Sequence, residues 1–190
     1  MFYRFIRRLV KIIAHIIYRF EINGREHVPP TGPVILCCNH IHGLDCLFLA
    51  IFVKRQVFFM GKMELFKIPV IGYLLKKAGA FPVDRKTTDL KAYRHTMDLL
   101  KNEKALGIFS QGTRTQDFEN VKGGVGVFAL KSGAPIVPVG IKGTYRPFSK
   151  MRLSFGPPIS MERYEGQKVK TELINEVMAE VVSKVSALSK

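Results

Sequence analysis

VILCCNHIHGLDC, residues 34–46, runs from an unbroken apolar stretch through a polar turn towards a second apolar stretch. A short apolar run without alternation is how a strand buried on both faces reads, and such strands belong to parallel sheets covered by helices. The same thirteen residues gather His40, His42, Asp45 and all three cysteines of the chain. That cluster has three readings: a metal site, a catalytic base, or a core strand with polar decoration.

Outward from this stretch the pattern repeats. Further apolar runs follow at VFFMG (57–61), AFPVD (80–84), ALGIFS (105–110), IVPVGI (136–141) and RLSFG (152–156), with helical patterns between them. Such alternation predicts an α/β fold, one domain with a mostly parallel central sheet flanked by helices. Thr87, Thr88 and Asp89 are suited to cap a helix carrying Leu90, Tyr93, Met97 and Leu100 on one face. After Gly166 the apolar residues Leu173, Ile174, Val177, Met178, Val181, Val182 and Val185 recur at the helical period and predict a core-facing final helix. LFKIPVIGYLLKKAGAF, residues 65–81, suits either core or the wall of an apolar groove.

The amino-terminal stretch MFYRFIRRLVKIIAHIIYRF has another character. Wound as a helix, it places Arg4, Arg7, Arg8, Lys11, His15 and Arg19 in a wedge about 120° wide and leaves the rest apolar. Its interspersed charges spoil a transmembrane span, and it lacks the uninterrupted apolar region of a signal peptide. The expectation is a helix lying in a membrane interface; an amphipathic helix packed on the domain is the alternative. The expected organisation is therefore an amphipathic helix over 1–22, a linker over 23–33 (NGREHVPPTGP) and an α/β domain over 34–190.

Composition bounds the partners. The chain has 190 residues, enough to bury about 70% of its unfolded surface without disulfides or metals. Its 30 Lys and Arg against 15 Asp and Glu give a net charge of +15, so it seeks anions: nucleic acid, anionic headgroups, an acidic carrier protein or a phosphorylated substrate. An odd number of cysteines, two of them adjacent on a strand and so facing opposite sides, does not make a disulfide framework.

The cluster can now be weighed. Zinc needs four converging ligands, usually from separated pairs, and here the candidates crowd into one segment, so no metal is expected. His40 and Asp45 would diverge in a continuous helix or strand, but a bend at Gly43 would let Asp45, on the first turn of a helix, accept a hydrogen bond from one ring nitrogen of His40. The other nitrogen would then be left to take a proton from an alcohol. The plainer reading, with His40 ending a strand and Asp45 capping a helix, stays open at this point. IFSQGTRT, residues 108–115, again follows a strand, and turn N–H groups, the Thr113 hydroxyl and Arg114 would suit a phosphate. Gly124, Gly126 and Ala129 match a dinucleotide fingerprint formally, but a polar stretch precedes them where a strand is needed.

Taken together, four segments resemble the glycerolipid acyltransferases, most closely the bacterial 1-acyl-sn-glycerol-3-phosphate acyltransferases. NHIHGLD resembles the N-H-x-x-x-x-D block, GKMELFKIPVIGYLLKKAGAFPVDR the second block, IFSQGTRT the F-P-E-G-T-R-S block and APIVPVGIKGT the fourth, in order, over about residues 20–158. The resemblance implies His40 as the base, oriented by Asp45, and direct attack of an acceptor hydroxyl on an activated acyl donor. Lys62, Arg85, Gly112, Thr113 and Arg114 match positions that hold the acceptor phosphate. Ser110 and Gln111 depart from the family's proline and glutamate, which bears on acceptor identity. Implied partners are a lysophospholipid acceptor, an anionic membrane surface and an acyl carrier protein, acyl-CoA or acyl phosphate as donor. Neither cofactor nor nucleic acid is implied. The implied location is the cytoplasmic face of the cell membrane, peripheral or monotopic. Two rival classes are a basic nucleic-acid-binding module, for which no recognition motif is legible, and a hydrolase, which lacks G-x-S-x-G and would need Cys38 or Cys46 as nucleophile.

Overall fold

Strand β2 (Val34–Cys38) is buried along its whole length, and its alternate residues enter different cores. Ile35 and Cys37 join one apolar layer, whereas Val34, Leu36 and Cys38 join the other. Helices α5 (Leu90–Lys101), α6 (Phe118–Ser132) and α7 (Thr171–Leu188) build the first layer, and α1 (Phe2–Ile17) and α2 (Asp45–Phe52) the second. The computed structural model describes residues 2–84, 89–109 and 118–190.

The other strands are β1 (Arg19–Asn23), β3 (Val57–Lys62), β4 (Ala80–Val83), β5 (Ala105–Phe109), β6 (Ile136–Gly143) and β7 (Lys150–Phe155). They form one sheet in the order β1-β7-β6-β2-β5-β3-β4, in which only β6 and β7 pair antiparallel. The chain moves from β2 to β3 through α2 on one face, then returns from β4 to β5 and on to β6 through α5 and α6 on the other. Right-handed crossovers require the face to change with the direction of travel. The reversal opens a crevice outside the carboxyl ends of β2 and β5, where ligands of open α/β sheets bind.

One expectation needs correction, and one of two open alternatives falls away. The amino-terminal helix ends at Ile17 rather than reaching Phe20, and residues 19–23 instead run parallel to β7, from Arg19 opposite Lys150 to Asn23 opposite Ser154. Phe20 therefore leaves the helical face and packs against Phe48 and Phe52 in the core, with ring centroids 5.0 and 4.7 Å away. The chain before residue 34 is thus part of the sheet, and its link to the body includes a 3-10 turn at Arg25–His27. Secondly, the apolar stretch from residue 65 is largely not core. Helices α3 (Met63–Phe66) and α4 (Pro69–Lys77) bury Gly72, while Leu65, Ile68, Val70, Ile71, Tyr73 and Leu74 are exposed. The buried glycine explains the packing: a Cβ on Gly72 would lie 2.4 Å from the Phe66 carbonyl oxygen, so α4 docks by backbone contact and turns its side chains outward.

Asp89 caps α5, its carboxylate accepting from the N–H groups of Lys91 and Ala92; Thr87 and Thr88 lie outside the described residues. Gly124, Gly126 and Ala129 fall inside α6. A Cβ on Gly126 would meet Ile174 of α7 at 3.0 Å, so this glycine serves helix packing.

Gly107 of β5 sets the spacing beneath the crevice. A Cβ there would lie 2.3 Å from Cε1 of Phe59, whose ring stacks on Phe109 at the end of β5. Gly107→Ala is expected to destabilise the fold by about 1–3 kcal/mol through overpacking. Gly43→Ala, where the new Cβ meets nothing within 4 Å, should be close to neutral. Urea unfolding of the two variants checks the contrast, and equal stabilities would remove Phe59 as a rigid floor.

Candidate active site

Beyond Cys38 the strand is prolonged by a side chain. The Asn39 amide donates to the Ile141 carbonyl at 2.8 Å and its oxygen accepts from the Ile141 N–H at 2.7 Å, so Asn39 continues the β2–β6 ladder where the backbones part. This fixes the residue before His40. The turn that follows is organised by Asp45, the first residue of α2, which is fully buried. Asp45 Oδ2 accepts from the N–H groups of Ile41 and His42 at 2.7 and 2.8 Å and from His40 Nδ1 at 2.7 Å. Tyr145, beyond β6, donates its hydroxyl to Oδ1.

The expected coupling of His40 to Asp45 is thus present, but the bend has a different cause. Gly43 does not adopt a left-handed φ, and the carboxylate itself gathers the turn by binding two successive N–H groups. Burial pushes the Asp45 carboxyl up, yet the hydrogen bonds from His40, His42, Tyr145 and Ile41 together hold it below its ordinary value. An ionised carboxylate only accepts, so His40 Nδ1 carries the proton and Nε2 the lone pair. The ring is a quarter exposed and stacks on Phe109 at 4.4 Å. It is held at one nitrogen and on one face, and the geometry suits a base acting on a hydroxyl.

Tyr145 completes the support. Its ring lies 4.0 Å from that of His42 and 5.4 Å from that of Phe48, both nearly parallel, and burial followed by the neighbouring Asp45 raises its pKa well above the ordinary tyrosine range. The phenol therefore stays a donor. Asn39, Phe109 and Tyr145 carry no role in the sequence reading. Asn39 had a local sign in its place between a strand and His40, whereas Tyr145 lies too far along the chain to give one.

Lys62 ends β3, on the same edge of the sheet as His40 and two strands away, about 10 Å across the sheet. Its ammonium is exposed, 3.8 Å from Glu64. Arg85, Ser110, Gln111, Gly112, Thr113 and Arg114 lie outside the described residues. Among the described residues no group of three His, Cys, Asp or Glu side chains is placed to hold a metal. Cys37 and Cys38 sit in opposite cores; burial pushes the Cys37 thiol up to about 12, Cys38 well above its ordinary value, and Cys46 upward as well. Protonated thiols are poor nucleophiles.

A mostly parallel sheet with a His–Asp pair at its carboxyl edge, where ligands of open α/β sheets bind, is the frame of an α/β enzyme. Residues 19–142 match the Acyltransferase family, and the chain belongs to it. It is 29% identical over 201 residues to the 1-acyl-sn-glycerol-3-phosphate acyltransferase of Bacillus subtilis strain 168, covering 98% of this chain and 100% of that protein. It is 30% identical over 175 residues to the enzyme of the same name from Streptococcus pneumoniae, covering 85% of this chain and 64% of that one. Its fold is similar to the crystal structure of the 1-acyl-sn-glycerophosphate acyltransferase PlsC of Thermotoga maritima, with a TM-score of 0.75, 24% identity, and coverage of 98% of this chain and 79% of that one.

The depressed Asp45 pKa fixes a pH dependence. Its contribution to stability is fully present above the ordinary carboxylate value of 3.8 and is lost as the pH falls through the lower folded value. Unfolding free energy measured from pH 6 downward should therefore fall more steeply below about pH 4 for the wild type than for Asp45→Asn. Parallel curves would mean that Asp45 is not ionised in the fold.

Proposed function

We propose that this acyltransferase moves a fatty acyl group from an activated donor to the free hydroxyl of 1-acyl-sn-glycerol-3-phosphate, giving phosphatidic acid. The observation that carries the reading is the 2.7 Å bond between His40 Nδ1 and the buried Asp45, in a chain whose relatives bear that activity in their names. His40 Nε2 takes the proton of the acceptor hydroxyl as its oxygen attacks the acyl carbonyl carbon. The C–O ester bond forms, the bond to the thiol or phosphate leaving group breaks, and the proton passes to that group. Asp45 stabilises the imidazolium in between. No acyl-enzyme is formed, in keeping with the buried, protonated cysteines. Lys62, Arg85, Gly112, Thr113 and Arg114 hold the acceptor phosphate, and acyl-CoA, an acyl carrier protein or an acyl phosphate supplies the acyl group. Gln111, where the family has glutamate, leaves that phosphate without a neighbouring carboxylate, and together with Ser110 in place of proline it favours a second reading, a different lysolipid acceptor.

The enzyme meets its substrates at an anionic membrane surface, on the cytoplasmic face. No helix among the described residues is long and apolar enough to cross a membrane. Helix α1 turns Ala14 into the core, spends Arg7 on the carbonyls of Val53 and Lys54, and rests Lys11 over the Phe52 ring. That leaves Phe5, Leu9, Ile12, Ile13 and Ile16 exposed in one stripe, accompanied by exposed Arg4 and Arg8. An apolar stripe with cations beside it suits an interfacial helix.

His40→Ala should abolish transfer, and Asp45→Asn should lower turnover by about 10²–10⁴-fold, with folding retained. Product analysis with several donors and a panel of lysolipids reads both, and near-normal turnover by His40→Ala would reduce His40 to a structural cap. Lys62→Ala and Arg114→Ala should each cost about 1.5–3 kcal/mol with a phosphate-bearing acceptor and much less with a matched acceptor lacking the phosphate. Equal losses on the two acceptors would move both residues out of the phosphate site.

A further inference from the structure

The connection between β6 and β7 turns at Arg146-Pro147-Phe148-Ser149, closed by a bond from the Ser149 N–H to the Arg146 carbonyl at 3.2 Å. Proline at the second position fixes φ there, and Phe148 follows with φ of +63°, the arrangement of a type II turn. That third position ordinarily takes glycine or asparagine, because a side chain with a bulky Cβ is strained at positive φ. Here it holds a phenylalanine that is 71% exposed. The fold thus accepts backbone strain while showing most of a benzene ring to solvent.

The place of the ring is as specific as its conformation. The Phe148 N–H donates to the carbonyl of Ile17, the last residue of α1, at 2.6 Å, and the Arg19 N–H donates to the Ser149 carbonyl at 3.0 Å. The turn is therefore fastened to the end of α1 where Ile12, Ile13 and Ile16 are exposed. Three residues before it stands Tyr145, bonded to Asp45. Arg146, which opens the turn, and Arg19, whose N–H binds Ser149, are both exposed.

We propose that Phe148 is a membrane-inserting side chain, which carries the apolar stripe of α1 onward to the mouth of the His40 crevice and seats that mouth on an anionic bilayer. The proposal rests on the interfacial reading of α1. Phenylalanine is among the side chains that interfacial elements bury at the boundary of headgroups and acyl chains, and the exposed arginines of this turn and of the adjoining start of β1 match anionic headgroups. A second copy of the chain, also carrying +15, would be repelled from the same surface.

The chain contains no tryptophan, so Phe148→Trp places a single reporter at the site. Its emission should shift to the blue when vesicles of phosphatidylglycerol and phosphatidylcholine are added to the full-length protein, and brominated lipid should quench it. Phe148→Asn and Phe148→Gly, which suit the turn, should melt no lower than the wild type but partition onto the same vesicles about tenfold less, at low and at high salt. Turnover of a short-chain acceptor dissolved in water is measured alongside. An unshifted tryptophan, unchanged partitioning, lower melting, or loss of turnover on the dissolved acceptor would each overturn the proposal, the last by placing the ring in the crevice. Ile12→Gln with Ile16→Gln separates the two readings. If that pair loses partitioning while the Phe148 variants keep it, α1 binds lipid and Phe148 does not. If the wild type itself fails to float with the vesicles, both readings fall.

Discussion

Burying a carboxylate costs several kcal/mol unless hydrogen bonds offset the loss of water, and the active-site edge of this protein is arranged around one such group. Asp45 has no exposed surface and is ionised because four donors converge on it. These donors come from three parts of the construction. The His40 ring comes from the end of β2, the Ile41 and His42 N–H groups from the turn, and the Tyr145 hydroxyl from the loop beyond β6. One charge therefore couples the central strand, the start of α2 and the β6–β7 connection. The helix itself helps, since an anion in its first turn faces the positive end of the peptide dipoles.

Two further devices hold that edge steady. Asn39 bridges β2 to β6 where their ladder would otherwise stop, and the aromatic series Phe59, Phe109 and His40 carries core packing outward to the imidazole. Its inner end depends on Gly107, because any larger residue would displace Phe59. The imidazole is thereby fixed in tautomer by electrostatics and in orientation by stacking, and these are separate constraints.

Much of this was legible in the chain because the strands are buried on both faces. VILCC reads as a strand since neither side of it meets water, and the His40–Asp45 spacing has chemical sense only at a turn between a strand and a helix. The features that escaped have non-local causes. RFEIN continues the periodicity of α1 and becomes a strand only because β7 offers it an edge, while Tyr145 is a donor only because the sheet order brings β6 beside β2. Segment 65–77 left core and groove wall open for another reason. Apolar composition normally signals burial, but here Gly72 takes the contact and the large side chains face outward.

The pairing of β1 with β7 also orders events in time. Among the described residues β1 has β7 as its only neighbour in the sheet, and no residue of β7 exists until the ribosome has passed Lys150. Helix α1 precedes the other elements described here along the chain, yet the strand that anchors it to the sheet is among the last whose partner appears. Contacts of such wide sequence separation form slowly, since the intervening chain must first be brought to order. From the synthesis of α1 until that of β7, then, the nascent protein carries a greasy, basic helix whose strand has no partner in the sheet. That is an interval in which chaperones, or a nearby lipid surface, have the first opportunity to receive it.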